Sequence, residues 1–400
     1  MIYKVKRQIL HIFYSIFIIY GISWVAIDSL IPLIEKELGV GYDKMGIALF
    51  IGSAIMLLLT FISGWLSDKF DIKKIVIVGL ILLFLVFLIF AININYLIFI
   101  IVILLMRMGY GILDTSLHTF SSKLFKENIG EVFINNSMFW YIGGIIGPLL
   151  TSFTLFFDIK PKFIFLFLSL AYAIVFIVFY RVCPSRNIKD EVTIKETIHS
   201  SSINKNIFSL LKNPKVILCS LITFFFAGAM VGFSTWFTTY FLAFDLNVSL
   251  SSLLLSLHWV FATLGLFSMR ILIKRIRETK LLIWGYIIGI IGLFIFSLCP
   301  IFYIKIATLI ILSISFSGVY PLINTISAQI DFKNTGSILG FVFAFTFAGS
   351  IVFQPIMGYV AEYFGENFII FVVLGGIILR FVFLIYLLRL LKKEIVLLKT

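Results

Sequence analysis

What this 400-residue chain has least of is charge. Only 13% of its residues are Asp, Glu, Lys or Arg, against 61% hydrophobic and a mean hydropathy of +1.14. That scarcity excludes an ordinary soluble domain, in which about a quarter of residues are charged. Cysteine is also sparse: Cys183, Cys219 and Cys299 are scattered, with neither metal-ligand spacing nor a disulfide framework. H-E-x-x-H, G-x-S-x-G and Walker-type loops are missing, which argues against a zinc protease, a serine hydrolase and an ATP-driven pump. The expectation is a protein that is not an enzyme and that uses no metal or organic cofactor.

What the chain has in abundance is long apolar runs. A membrane-spanning helix needs roughly 20 such residues. About twelve stretches qualify, near 9–31, 44–66, 73–92, 96–120, 131–157, 163–182, 214–243, 249–270, 280–299, 302–328, 335–361 and 367–390. The expected fold is an all-α membrane protein of about twelve transmembrane helices in two six-helix, pseudo-symmetric halves. The first run starts basic, as a signal peptide does. It is too long for one and has no small-residue cleavage site, so it reads as span 1, ending at Asp28 and Pro32.

A net charge of +13 would suit a nucleic-acid binder, but its distribution says otherwise. The segments on the side of the two termini hold 25 of the 32 Lys and Arg, the opposite loops hold only Lys36, Lys44, Lys160, Lys162 and Lys305, and two arginines remain within spans. This is the positive-inside asymmetry, and it predicts cytoplasmic termini in the cell membrane. The expected partners are the lipid bilayer and a small-molecule substrate, with no nucleic acid, and the chain is expected to be a monomer.

The polar stretch from Arg181 to Lys215 separates an N-terminal half (1–182) from a C-terminal half (214–400). The intervening 183–213 reads as a cytoplasmic linker, partly an amphipathic surface helix. The halves repeat each other. Tyr110-Gly-Ile-Leu-Asp114-Thr115 in span 4 matches Tyr320-Pro-Leu-Ile-Asn324-Thr325 in span 10 at an offset of 210. Gly143-Gly144-x-x-Gly147-Pro148 in span 5 matches the Gly349 to Pro355 approach in span 11. Repeated halves with a substrate at their shared midplane are how many transporters alternate access.

Between spans 2 and 3 lies Gly64-Trp-Leu-Ser-Asp68-Lys-Phe-Asp71-Ile-Lys73-Lys74. This G-x-L-x-D-x-x-x-x-K/R-K/R pattern resembles the loop between helices 2 and 3 of the major facilitator superfamily of secondary transporters. After span 8 the corresponding connector has Lys274 in place of the acid. The resemblance implies a gating role for Gly64, Asp68, Lys73 and Lys74, with Asp68 capping another helix in one state and releasing it in the other.

An ionisable side chain inside a bilayer costs about 3 kcal/mol or more, so it faces a cavity or a partner. Arg107, Gly111, Asp114 and His118 share one face of span 4. Asp114 and His118, one turn apart, can share a proton. His118 also reads as a solvated side chain, and Asp114 as a structural partner of Arg107. Asp28, in span 1 after Tyr20 and Trp24, is placed either for protonation from outside or as an exposed helix-end acid beside Glu35. Sugars are bound by aromatic faces with amides and carboxyls around them. The candidates for such a site are Trp24, Asn136, Trp140, Trp236, Tyr240, Tyr320, Asn324 and Gln354, with His258 and Trp259 in span 8. Each aromatic reads equally as packing, and each amide as interhelical glue.

Several stretches resemble the fucose/galactose/glucose:proton symporter branch of the superfamily. They are Asp28-Ser-Leu-Ile-Pro32, Gly109-Tyr-Gly-Ile-Leu-Asp114-Thr-Ser-Leu-His118, Trp236-Phe-Thr-Thr-Tyr240, Tyr320-Pro321 and Gln354-Pro-x-x-Gly358. The resemblance implies that Asp28 and Asp114 are the protonatable pair, with H⁺ as coupling ion and Na⁺ as the alternative. His118 stands where that branch has Asn, and Met230 where it has an acid. Arg107 has no counterpart there; with Gly143-x-x-x-Gly147-Pro148 it resembles the paired motifs of proton-coupled drug antiporters. The expected function is therefore proton-coupled uptake of a sugar or similar small polar metabolite. The alternative is efflux by an antiporter using Arg107 and Asp114.

Overall fold

The computed structural model describes residues 2–92, 95–125, 129–183, 212–272, 275–276, 278–330 and 335–397. Twelve of its helical segments are long and apolar enough to cross a membrane, and no strand occurs among the described residues. Spans 1 to 6 are Arg7–Leu38, Tyr42–Thr60, Ile72–Phe90, Tyr96–Ser121, Asn135–Phe156 and Lys162–Val182. Spans 7 to 12 are Pro214–Thr235, Val248–Met269, Lys280–Leu298, Phe302–Asn324, Phe341–Phe364 and Glu366–Leu391. The expected linker helix within 184–211 lies outside the described residues, as do the surroundings of the gating candidates Gly64 and Asp68.

Short polar residues start the helices by accepting from backbone N–H groups that lack intrahelical partners. Asp71 accepts from Lys73 N at 3.0 Å, Asn95 from Ile98 N at 2.9 Å, Asn213 from Lys215 N at 3.0 Å and Asn247 from Leu250 N at 2.8 Å. Lys73 finishes a neighbouring helix: its Nζ donates to Tyr180 O at 3.0 Å and to Cys183 O, at the end of span 6.

Two spans depart from the sequence reading. Span 1 does not end at Pro32 but continues through it to Leu38. The proline ring has no N–H to offer the carbonyl four residues back. That carbonyl, Asp28 O, instead accepts from Thr238 Oγ1 at 3.3 Å, across the divide between the halves. Span 7, expected to be continuous to residue 243, changes to a π-helix at Ala227–Val231 and breaks again at Trp236 before Phe237–Leu242.

Within each half the packing repeats. Span 1 crosses span 5, and span 7 crosses span 11, at glycines. A Cβ at Gly143 would stand 2.2 Å from Ile18 O, and one at Gly349 would stand 2.0 Å from Phe224 O. Residue 349 against 143 and residue 224 against 18 are the same 206-residue offset, so the two crossings are one structural element used twice. Only glycine permits backbones this close.

The halves meet through spans 2 and 11 and through spans 5 and 8. Their named contacts cluster toward the end formed by the loops after spans 1 and 7. There Glu362 accepts from Tyr42 N at 2.8 Å, and Ser152 and Ser249 hydroxyls lie 3.2 Å apart. The opposite end is the one from which span 1 starts and at which span 12 finishes.

Candidate functional site

At the depth where the closed end begins, four spans are joined by one buried run of hydrogen bonds. Ser53 Oγ of span 2 donates to Gln354 Oε1 of span 11 at 2.9 Å. Gln354 Nε2 donates to Thr235 Oγ1 of span 7 at 3.4 Å, and Thr235 Oγ1 lies 3.4 Å from Asp28 Oδ2 of span 1 as donor. Asp28 is only 1% exposed, so it is no helix-end acid in water. Span 7 and the short helix after it thus hold Asp28 twice, by the carboxylate through Thr235 and by the backbone carbonyl through Thr238.

The charge facing Asp28 belongs to Arg107. No ion pair joins them directly; the guanidinium instead lies over Trp24, its carbon 3.7 Å from the ring centroid. A desolvated cation–π contact contributes about 2 kcal/mol. Trp24 continues into an aromatic group with Tyr20 (6.0 Å) and Tyr110 (5.2 Å). Tyr110 Oη donates to Ser23 Oγ at 2.7 Å, which fixes the group to span 1.

Asp114 and His118 lie in the second half of span 4, away from the closed end. Asp114 Oδ1 and His118 Nε2 are 3.7 Å apart, with side chains 27% and 32% exposed. Here the one-turn spacing does what the sequence implies. Arg107, on the same helix, is directed toward Asp28 rather than Asp114, so the carboxylates belong to two separate groupings at different depths.

Of the expected substrate contacts, Trp24, Trp140, Tyr320 and Asn324 are half-buried. Trp140 and Tyr141 meet Trp259 of the other half edge-on at 5.3 and 5.2 Å. Tyr320 stacks on Phe226 at 5.3 Å, and Asn324 Oδ1 has no hydrogen-bond partner. Asn136 is fully buried with both amide atoms unpartnered.

Trp236, Tyr240 and Gln354 are placed differently from the sequence reading. Gln354 belongs to the buried run of hydrogen bonds, and Trp236 Nε1 donates to its backbone carbonyl at 3.1 Å. Tyr240 packs on Phe296 at 5.5 Å inside the C-terminal half, and its hydroxyl accepts from Lys305 Nζ at 3.3 Å. None of the three offers a surface to a solute in this conformation. Of the gating candidates, Lys73 is occupied by the end of span 6 and Lys74 is exposed.

Sequence reasoning passes over Ser53, Thr235 and Thr238, because hydroxyls occur throughout apolar helices and their partners lie up to 301 residues away. It also leaves Arg380 unassigned. This arginine sits in the middle of span 12, fully buried, with its guanidinium carbon 4.6 Å from the Tyr286 ring centroid and 4.8 Å from that of Phe316.

A family model described as Major Facilitator Superfamily matches residues 13–330. The hexuronate transporter of Bacillus subtilis (strain 168) is 22% identical over 371 residues, covering 88% of this chain and 87% of that protein. A TsgA homolog of Buchnera aphidicola subsp. Baizongia pistaciae is 22% identical over 335 residues, covering 80% and 82%. Among solved structures, the nucleoside transporter NupG shares the fold with a TM-score of 0.75 at 14% identity, over 96% of this chain and 99% of that one. A variant of the E. coli fucose:proton symporter FucP does so with a TM-score of 0.65 at 18% identity, over 94% and 98%. Twelve spans, two repeated halves and a family match over most of the chain lead to one conclusion: the protein belongs to the Major Facilitator Superfamily and is a multi-pass membrane transporter of small molecules, not an enzyme.

Proposed function

We propose that the protein takes up a sugar, or a similarly small polyhydroxylated metabolite, together with protons. It works by alternating access in the cell membrane, with both termini cytoplasmic. The observation that carries this reading is the buried run Ser53–Gln354–Thr235–Asp28. It makes the protonation state of one carboxylate part of what holds the closed end together. A charged Asp28 only accepts hydrogen bonds; a protonated Asp28 must also donate one. Loading it therefore changes the balance between closed and open at that end. Asp114 and His118, away from the closed end, supply a second position for the proton. Trp24, Trp140, Tyr320 and Asn324 offer ring faces and an amide to a hydroxylated solute between them. Gly64, Asp68, Lys73 and Lys74 would gate the cytoplasmic end.

The relatives support the substrate class, since hexuronates, nucleosides and fucose all carry several hydroxyls. The efflux alternative rests on Arg107 acting with Asp114, and Arg107 faces Asp28 and Trp24 instead. The test is uptake into proteoliposomes under an imposed pH gradient. Asp114→Asn is expected to lose gradient-driven accumulation while retaining substrate exchange, and a sodium gradient is expected to drive nothing. Accumulation that survives in Asp114→Asn would remove that residue from coupling. A thermal-shift screen against hexoses, hexuronates, nucleosides and lipophilic cations names the substrate, with any true ligand weakened by Trp140→Ala or Asn324→Ala.

A further inference from the structure

Of the two buried cations of the C-terminal half, Lys305 donates to Phe296 O and Tyr240 Oη, whereas Arg380 has no acceptor and no counter-charge. Arg380 is fully enclosed, and its Nε, Nη1 and Nη2 all lack hydrogen-bond partners. Tyr286, Phe316 and Phe226 surround the guanidinium, with ring centroids 4.6, 4.8 and 5.4 Å from its central carbon. Aromatic rings attract a cation electrostatically, but they do not satisfy the five N–H donors on its edge. The Tyr286 hydroxyl beside it is likewise buried and unpartnered.

No rearrangement within this half can supply the missing charge. Spans 7 to 10 contain neither Asp nor Glu, and spans 11 and 12 contain only Glu362 and Glu366, near the closed end. Arg380 lies fourteen residues beyond Glu366 along span 12, near mid-membrane. Arg107, by contrast, faces Asp28. No acid of the N-terminal half lies against Arg380 either, since Tyr286 is the titratable group that acts on it; a buried charge is stabilised by a partner, and a bound anion is one.

We propose that Arg380 and Tyr286 form a binding site for a small anion, in which the guanidinium edge and the phenol hydroxyl donate to one anionic group. Two sources share this chemistry: the carboxylate of an acidic sugar, or a free inorganic anion such as chloride. The route in is short. Phe226, one wall of the cage, stacks on Tyr320 at 5.3 Å, and Tyr320 faces Asp114 and Tyr141 of the other half. One aromatic layer separates Arg380 from the cleft, and Phe226 is the last residue before the π-helix of span 7.

The test is anion-dependent thermal stability of the purified full-length protein, starting in sodium isethionate at constant ionic strength. One arm titrates sodium chloride; the other compares sodium galacturonate with galactose. A saturable rise in Tm is expected in at least one arm. Chloride activity identifies a free anion, and activity of galacturonate without galactose identifies a carboxylate. Arg380→Gln is expected to weaken the active anion at least tenfold and Tyr286→Phe roughly threefold to tenfold. No shift with either anion, or an unchanged affinity in Arg380→Gln, overturns the site. Should Arg380→Gln fail to fold, Tyr286→Phe decides, because it removes only a hydroxyl that has no partner; unchanged anion affinity there overturns the proposal as well. Because the readout is binding rather than proton-driven uptake, it stands or falls separately from proton coupling.

Discussion

The two halves are built alike and charged differently. Each crosses its first and fifth helices at a glycine on a backbone carbonyl, Gly143 on Ile18 and Gly349 on Phe224. Each buries one arginine against aromatic rings. In the N-terminal half, however, the arginine faces Asp28, and Asp114 with His118 lies further along the same helix. In the C-terminal half the position matching Asp114 is Asn324, spans 7 to 10 hold no acid, and Arg380 stands alone. The scaffold has been kept in duplicate while the titratable chemistry has been concentrated on one side. The other side contributes neutral partners: Thr235, Thr238 and Gln354.

Neutralising the two arginines in turn puts this difference under the greatest strain. Arg107→Gln removes the cation–π contact with Trp24 and the charge nearest Asp28, and is expected to destabilise the protein by about 2 kcal/mol. Arg380→Gln, in the absence of a bound anion, removes an uncompensated charge. It is expected to be neutral or stabilising. Opposite signs in chloride-free thermal melts would establish that the two sites differ in kind. Equal losses would mean that Arg380 has a structural role the aromatic cage does not reveal.

The glycine crossings should respond alike. Gly143→Ala and Gly349→Ala each place a methyl carbon within 2.2 Å of a backbone oxygen, so the helices must separate. Each is expected to cost about 3 kcal/mol and to reduce the yield of monodisperse protein on size exclusion. Tolerance of one and not the other would show that the repeat is conformationally unequal, with one crossing opening during the cycle.

Whatever a single helix contains is legible in the sequence. Twelve apolar runs correspond to twelve spans, and the one-turn spacing of Asp114 and His118 becomes a 3.7 Å approach. Rotation and partnership are not legible. Spacing alone assigns Trp236 and Tyr240 to a cleft, but the π-helix at Ala227–Val231 inserts a residue and turns the rest of the span by roughly 100°. They face packing and the closed end instead. Pro32 reads as a terminator because the donor that replaces its missing partner, Thr238, lies 210 residues from Asp28. The same blindness hides Ser53 and Thr235, whose importance lies wholly in residues brought to them by other spans. Arg380 is visible as a charge within an apolar run, but its isolation emerges only once the helices around it are known.

The mildest substitution bears most directly on how the halves work against each other. Ser53→Ala removes the donor to Gln354 Oε1, a bond made across the halves at 2.9 Å. Its loss costs about 1 kcal/mol, and it is felt only where the halves meet at that end. The closed population should therefore fall by about fivefold relative to the open one, a change of about 1.4 kcal/mol being roughly tenfold. Thr235→Ala should shift it further, because Thr235 both accepts from Gln354 and donates toward Asp28. Spin labels at Lys44 and Tyr363, on exposed positions of spans 2 and 11, would report the separation by pulsed electron resonance. If Ser53→Ala opens the closed end as much as Thr235→Ala does, the contact between spans 2 and 11 governs that end and Asp28 is incidental to it. A larger opening in Thr235→Ala places control at the carboxylate, where a proton can reach it.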